Sequence, residues 1–137
     1  NRYLSSVFDH VCSSGVQEFR ENIEEAFRGK QGRLCVFGAG YWGPYVVKKI
    51  IQSGLECACV IDNSIERQGC RIEGVEIKSS DCLTTGKWNV IIAIIKGHES
   101  VSEQLSKYNN PNMHVVWFPD INETFRSNMH MEQWLDQ

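Results

Sequence analysis

Between Gly38 and Gly43 the chain reads Gly-Ala-Gly-Tyr-Trp-Gly, and such a G-x-G-x-x-G can do one kind of chemistry: hold an anion on bare backbone. The first glycine, Gly38, permits a tight turn. The second, Gly40, lets backbone approach a phosphate, and the third, Gly43, lets the following helix pack close to the preceding strand. The first-turn N–H groups of that helix then face the phosphate, aided by the helix dipole. Pro44 suits this place, because a helix start needs no donor there. Ala39, Tyr41 and Trp42 complete the turn, and the two aromatics could stack on a base or a sugar. The acid that such turns pair with stands roughly 20 residues further on. Asp62 fills that position and Asn63 follows it. A carboxylate there would accept ribose hydroxyls and repel a 2′-phosphate, so an unphosphorylated ribose is expected. Two plainer alternatives stay open: a strand-to-helix connection that binds nothing, and Asp62-Asn63-Ser64 as an ordinary turn.

A third group follows the most apolar run, at Lys96-Gly97-His98-Glu99. At the carboxyl end of a strand, Lys96 could meet a phosphate, and His98 could hydrogen-bond a ligand or carry a proton. The competing description is solvated loop residues.

The elements that must position these groups follow from hydrophobic period. Tyr3 to Val11 and Val16 to Phe27 carry helical stripes, the second opened by Ser14 and Gln17 as a capping box. These two helices are expected to dock on the edge of a sheet or to lead in from a preceding domain. Leu34-Cys35-Val36-Phe37 is a short run of a strand buried on both faces. Pro44 to Ser53 reads as a helix with Val46, Val47, Ile50 and Ile51 inward. Cys57 to Ile61 is a second strand, and Ile72, Val75 and Ile77 a short strand pair. Asn89 to Ile95 is the strongest strand, Ser100 to Tyr108 a helix, and Met113 to Phe118 the last strand. A final helix from Asp120 would carry Phe125, Met129 and Trp134. Alternating strands and helices predict an α/β, Rossmann-like open sheet, mostly parallel. About five strands in order 3-2-1-4-5 are expected, with helices on both faces and two N-terminal helices in front. Residues 1–31 are expected to form the helical segment and 32–137 the nucleotide-binding domain.

At 137 residues and 15.7 kDa, with 42% hydrophobic and 23% charged residues, the chain matches one globular domain. Its net charge of −3 and pI of about 5.8, with no basic stripe, predict no nucleic-acid partner. No apolar stretch approaches the length of a membrane span and the opening residues carry no signal-peptide pattern, so no membrane or secretory role is expected. Cys35, Cys57 and Cys59 sit in strand-like runs, and Cys12, Cys70 and Cys82 make no C-x-x-C with them, so reduced thiols of a cytoplasmic protein are expected. The chain begins at Asn1, and we expect a domain excised from a longer protein.

Two resemblances enter on these motifs. Gly40-Tyr41-Trp42-Gly43-Pro44 resembles the opening turn of the Gfo/Idh/MocA oxidoreductases. That likeness implies an NAD(P)-dependent sugar dehydrogenase, with Gly38, Gly40 and Gly43 on the pyrophosphate and Asp62 on the adenosine ribose. A longer stretch, roughly Arg33 to Thr124, is similar to small Rossmann-like modules of bacterial surface-polysaccharide biosynthesis. It takes in Phe37 to Gly43, Val60-Ile61-Asp62-Asn63-Ser64, Gln68 to Ile77 and Asp81-Cys82-Leu83. Such modules stand beside FkbM-type methyltransferases and at the front of PglD-type sugar acyltransferases. This second resemblance implies a nucleotide-sugar ligand on Gly38, Gly40 and Asp62.

The expected function is therefore a non-catalytic module holding a nucleotide or nucleotide-sugar, either NAD or a sugar nucleotide. It would serve a catalytic domain of the same parent chain, such as a transferase, in sugar modification or polysaccharide biosynthesis. The alternatives are the cofactor half of an NAD-dependent sugar oxidoreductase, and a ligand-free assembly domain for which Tyr41, Trp42 and Trp117 would supply surface. The isolated domain is expected to have no turnover of its own, because no nucleophile stands beside a base.

Overall fold

A computed structural model describes residues 15–122. The first predicted helix, Cys12 and nearly all of the final helix lie outside them. Within them, helix α1 covers residues 15–26. Strand β1 (Arg33–Phe37) leads into α2 (Gly43–Gln52), followed by β2 (Cys59–Ile61), β3 (Arg71–Ile72) and β4 (Val75–Lys78). A 3₁₀ turn at Ser80–Thr84 precedes β5 (Trp88–Ile92), α3 (His98–Ser106) and β6 (Met113–Trp117). A second 3₁₀ turn occupies Phe118–Ile121.

The six strands form one sheet in the order β3-β4-β2-β1-β5-β6, parallel throughout except for the β3–β4 hairpin at the edge. The expected 3-2-1-4-5 order is thus present, with the strand pair split into β3 and β4. This is the Rossmann-like α/β architecture.

Alternation along the central strands builds two cores. Val36, Val60 and Ile91 face one side, where they meet Phe19, Ile23 and Phe27 of α1 and the following turn, Val46, Val47 and Ile50 of α2, and Phe118. Cys35, Phe37, Cys59, Ile61, Val90 and Ile92 face the other, under Leu83, Val101 and Leu105. A strand buried on both sides is apolar at nearly every position, which explains the runs Cys35 to Phe37 and Val90 to Ile92. Helix α1 therefore lies on a sheet face beside α2, not on the sheet edge, because its Phe19-Ile23-Phe27 stripe needs apolar cover.

Several boundaries differ from the expectation by a few residues, β2 for one beginning at Cys59 and not Cys57, and so does one inward-facing position. Strand β5 stops at Ile92, because its neighbour β1 ends at Phe37, whose carbonyl takes the Ala93 N–H as the last shared bond. Helix α3 begins at His98, two residues before the predicted Ser100 cap. Ile51 is 43% exposed, since the α2 stripe that faces the core needs only Val46, Val47 and Ile50. No helix among the described residues is long and apolar enough to cross a membrane.

Candidate functional site

The sheet order changes direction at β1: β2 and β4 lie on one side, β5 and β6 on the other. The loops leaving β1 and β5 therefore splay apart and open a crevice at the strands' carboxyl ends. A cleft of about 530 Å³ lies there, lined by Gly38, Gly40, Tyr41 and Trp42 on one wall and by Ala93, Ile94, Ile95 and Lys96 on another. Asp62 and Arg67, from the loop after β2, close the third side.

Two of the three glycines of the turn are required by the fold. Gly38 has φ +117°, a region that side chains avoid, and a Cβ there would stand 2.7 Å from the Ile94 side chain. At Gly43 a Cβ would stand 1.8 Å from the Gly38 carbonyl oxygen, so the close seat of α2 on β1 requires glycine. Gly40 differs from both. Its φ lies outside the left-handed region, and a Cβ would meet only the Arg67 guanidinium, at 3.3 Å. Fold geometry does not demand glycine at this position, and a Cβ would project into the cleft. The N–H groups of Gly40 and Tyr41 meet no acceptor among the described residues. Helix α2 begins at Gly43 with no side-chain cap and no acid in its first turn, so its positive end is left uncancelled.

Asp62 is the organising residue. Its carboxylate is largely buried and accepts the Ala39 N–H on Oδ2 and the Ser64 N–H on Oδ1, both at 2.8 Å. Asp62 makes the turn at Ser64, as the plainer expectation had it, and also ties the glycine loop to the end of β2. The chain after it is wound tightly: Ser64 O accepts from the Arg67 and Gln68 N–H groups, and Gln68 Nε2 donates to Asp62 O. That winding turns Arg67 back over the cleft, where Nη1 lies 3.4 Å from Asp62 Oδ2. Arg67 is not among the residues expected from sequence, since no fixed spacing from the acid marks it.

Gly38, Gly40, Tyr41, Trp42, Asp62 and Lys96 are thus brought to one cleft, with Ala39 joined through its bond to Asp62 and Gly43 beneath the turn. Asn63 and His98 are not. Asn63 exchanges two amide hydrogen bonds with Gln104 of α3, at 2.9 and 3.0 Å. His98 lies flat on Trp117, rings 3.8 Å apart and 12° from parallel, and lines a neighbouring depression over β6. Tyr41 is 85% exposed and packs edge-on against Trp42, at 5.0 Å between ring centroids.

The buried thiols face inward, away from this chemistry. Burial pushes the Cys57 thiol up to about 12. A hydrogen bond with Cys35 is the largest cause raising Cys59 to about 11, and a hydrogen bond with Cys59 is the largest cause raising Cys82. Thiols so held stay protonated and unreactive at neutral pH.

No protein-family model and no curated protein matches the chain. Solved structures do. The chain is 15% identical to RSP in complex with beta-NAD+ and operator DNA, with a TM-score of 0.50, over 83% of this chain and 65% of that one. Two further structures, of RSP described as a Rex-family repressor and of RSP in complex with beta-NADH, are each 17% identical with TM-scores of 0.47. Each of these covers 79% of this chain and 65% of theirs. The chain thus spans just under two thirds of the length of these structures. Likeness at this identity shows the Rossmann-like fold. It also corrects the expectation of no nucleic-acid partner, because the same fold occurs in a chain solved on operator DNA. The error was physical: a net charge of −3 describes these residues alone and says nothing of the charge a protein carries elsewhere.

Proposed function

We propose that this domain holds a nucleotide of the NAD type, with its diphosphate on the Gly38–Gly43 turn and its adenosine ribose toward Asp62. The observation that carries the reading is the conjunction in one cleft of acceptor-free N–H groups, a glycine whose absent Cβ keeps the floor clear, and a carboxylate on the facing loop. The residues suit such a ligand. A carboxylate has about four acceptor sites. Asp62 uses one on each oxygen for backbone amides and a second on Oδ2 for Arg67, which leaves a site on Oδ1 for a ribose hydroxyl. Lys96, on the opposite wall, adds positive charge for an anionic ligand. In this reading the domain binds and orients the nucleotide. A reducing, cytoplasmic setting suits its buried thiols.

The nucleotide-sugar alternative, carried by the resemblance to polysaccharide-biosynthesis modules, enters the same test. A thermal-shift and calorimetric panel would run beta-NAD+ first, then ADP, UDP, UDP-sugars and NADP. A ligand at 100 times its Kd adds about 2.7 kcal/mol. Gly40→Val is expected to fold normally, since only a flexible guanidinium adjoins its Cβ, and to lose binding. Unchanged binding in Gly40→Val, or no binding of any nucleotide at millimolar concentration, would overturn the proposal.

A further inference from the structure

Arg67 stands at the point where an anion would reach the glycine turn. Its Nη1 lies 3.3 Å from where a Gly40 Cβ would be, and 3.4 Å from Asp62 Oδ2. Gly40 is the glycine whose bareness lets a phosphate approach the backbone. The guanidinium therefore spans the phosphate floor and the ribose acid. Its hold on Asp62 is loose: the distance is long, and although the carboxylate is largely buried, the arginine side chain is 52% exposed to screening water. A phosphate offers the same planar fork shorter, paired bonds to a fuller charge. The backbone bearing Arg67 is fixed by the Ser64 turn, so the side chain can change partner without the loop unwinding.

We infer that Arg67 is the diphosphate clamp of this cleft, parked on Asp62 until a ligand arrives and then exchanged from the carboxylate to the phosphate. The exchange has a second effect. As the guanidinium leaves, Asp62 Oδ2 keeps its bond to the Ala39 N–H and regains an acceptor site for a ribose hydroxyl. Binding of the phosphate and of the ribose are coupled through one side chain. The inference rests on the proposed nucleotide reading and adds a residue and a partner exchange to it.

Calorimetric titration of this chain with ADP, AMP, adenosine and 2′-AMP separates the two. Arg67→Gln is expected to weaken ADP roughly 10- to 100-fold, which is about 1.4–2.8 kcal/mol. Adenosine, which has no phosphate to clamp, should bind Arg67→Gln at least as well as the unmutated chain. Arg67→Lys should restore part of the ADP affinity, as a point charge without the fork. Equal losses for ADP and adenosine would make Arg67 merely structural, and an unchanged ADP affinity would leave it a bystander. A loss confined to 2′-AMP would place its phosphate on the ribose instead. Any of the three overturns the clamp. If the unmutated chain binds ADP and Gly40→Val does not, the nucleotide reading survives such a failure. If the unmutated chain binds no nucleotide, both fall together.

Discussion

Gly43→Ala should be the most damaging single methyl group that can be added to the loop. The new Cβ would stand 1.8 Å from the Gly38 carbonyl oxygen and 2.9 Å from its carbon, both backbone atoms of the turn. An ordinary carbon–oxygen contact needs well over 3 Å, so α2 and the turn must separate by more than 1 Å. Helix α2 cannot yield cheaply, because Val46, Val47 and Ile50 are fully buried between it and the sheet. Overpacking of this kind costs typically 1–3 kcal/mol, and a clash with fixed backbone belongs at about 3. Alanine returns about 0.5–1 kcal/mol by restricting the unfolded chain. The net is a destabilisation of about 2–2.5 kcal/mol, or very roughly 8 °C in Tm for a domain of this size. Thermal and urea unfolding followed by far-UV circular dichroism would measure it, with Gly40→Ala as the internal control. Gly40→Ala should lie within about 0.5 kcal/mol of the parent, as surface substitutions do. A Gly43→Ala protein melting within about 2 °C of the parent would refute the packing argument and the division of labour among the three glycines.

Asp62→Ala should destabilise the ligand-free domain by about 2–3 kcal/mol, because the buried Ala39 N–H loses its acceptor and the Ser64 turn loses its anchor. Urea unfolding without ligand checks it, and an unchanged midpoint would mean the clasp is ornamental. Among the five described cysteines, exposed Cys70 should react with a thiol reagent in the native state while Cys35, Cys57 and Cys59 wait for unfolding. Mass spectrometry of partly labelled protein reads the order directly. The raised thiols also set an alkaline limit. Cys57 and Cys59 lose their protons near pH 9.0 when unfolded and near 12 and 11 when folded, so above pH 9 the unfolded chain binds fewer protons. The stability they contribute is complete below pH 9 and drains away as pH rises toward 11–12. A urea midpoint lower at pH 10.5 than at pH 8 is the expected result, and Cys57→Ser should reduce the difference.

Much of the fold was legible because buried parallel strands are almost wholly apolar, Asn89 of β5 being a buried polar exception. Cys35 to Phe37 and Val90 to Ile92 announce themselves as runs, while Gly38 marks the end of β1 and Gly54 the end of α2. Where the expectation slipped, tertiary partners decided. Ile94 and Ile95 are as apolar as the strand before them, yet they leave the sheet because β1 has ended and go on to line the cleft. No period in the sequence reports where a neighbouring strand stops. Likewise Asn63 stands beside Asp62 in sequence, but successive residues at a strand end point apart, and Asn63 turns to Gln104. His98 is expected at the crevice from its place after β5. The helix begins at His98 itself, so the ring is carried round to Trp117.

Arg67 and Asp62 show why sites are harder to read than sheets. Strand order follows from local pattern and the handedness of crossovers, both of which are written into short windows. The cleft depends instead on one carboxylate meeting an amide 23 positions earlier and on a turn that folds an arginine back over it. The Ser64 bond makes Asp62 a turn residue and the Ala39 bond ties it to the glycine loop, both at 2.8 Å, at a cleft that Gly40 also lines. The turn description of Asp62 holds, and it does not exclude a ligand role on the proposed reading. A carboxylate that only capped a turn would have no need to reach Ala39, and one that only waited for a ligand would leave the glycine loop untied. By holding Ala39, Asp62 fixes the loop whose Gly40 and Tyr41 N–H groups meet no acceptor among the described residues. On the proposed reading, the shape that receives the phosphate is therefore set before any ligand is present, which lowers the ordering cost of binding.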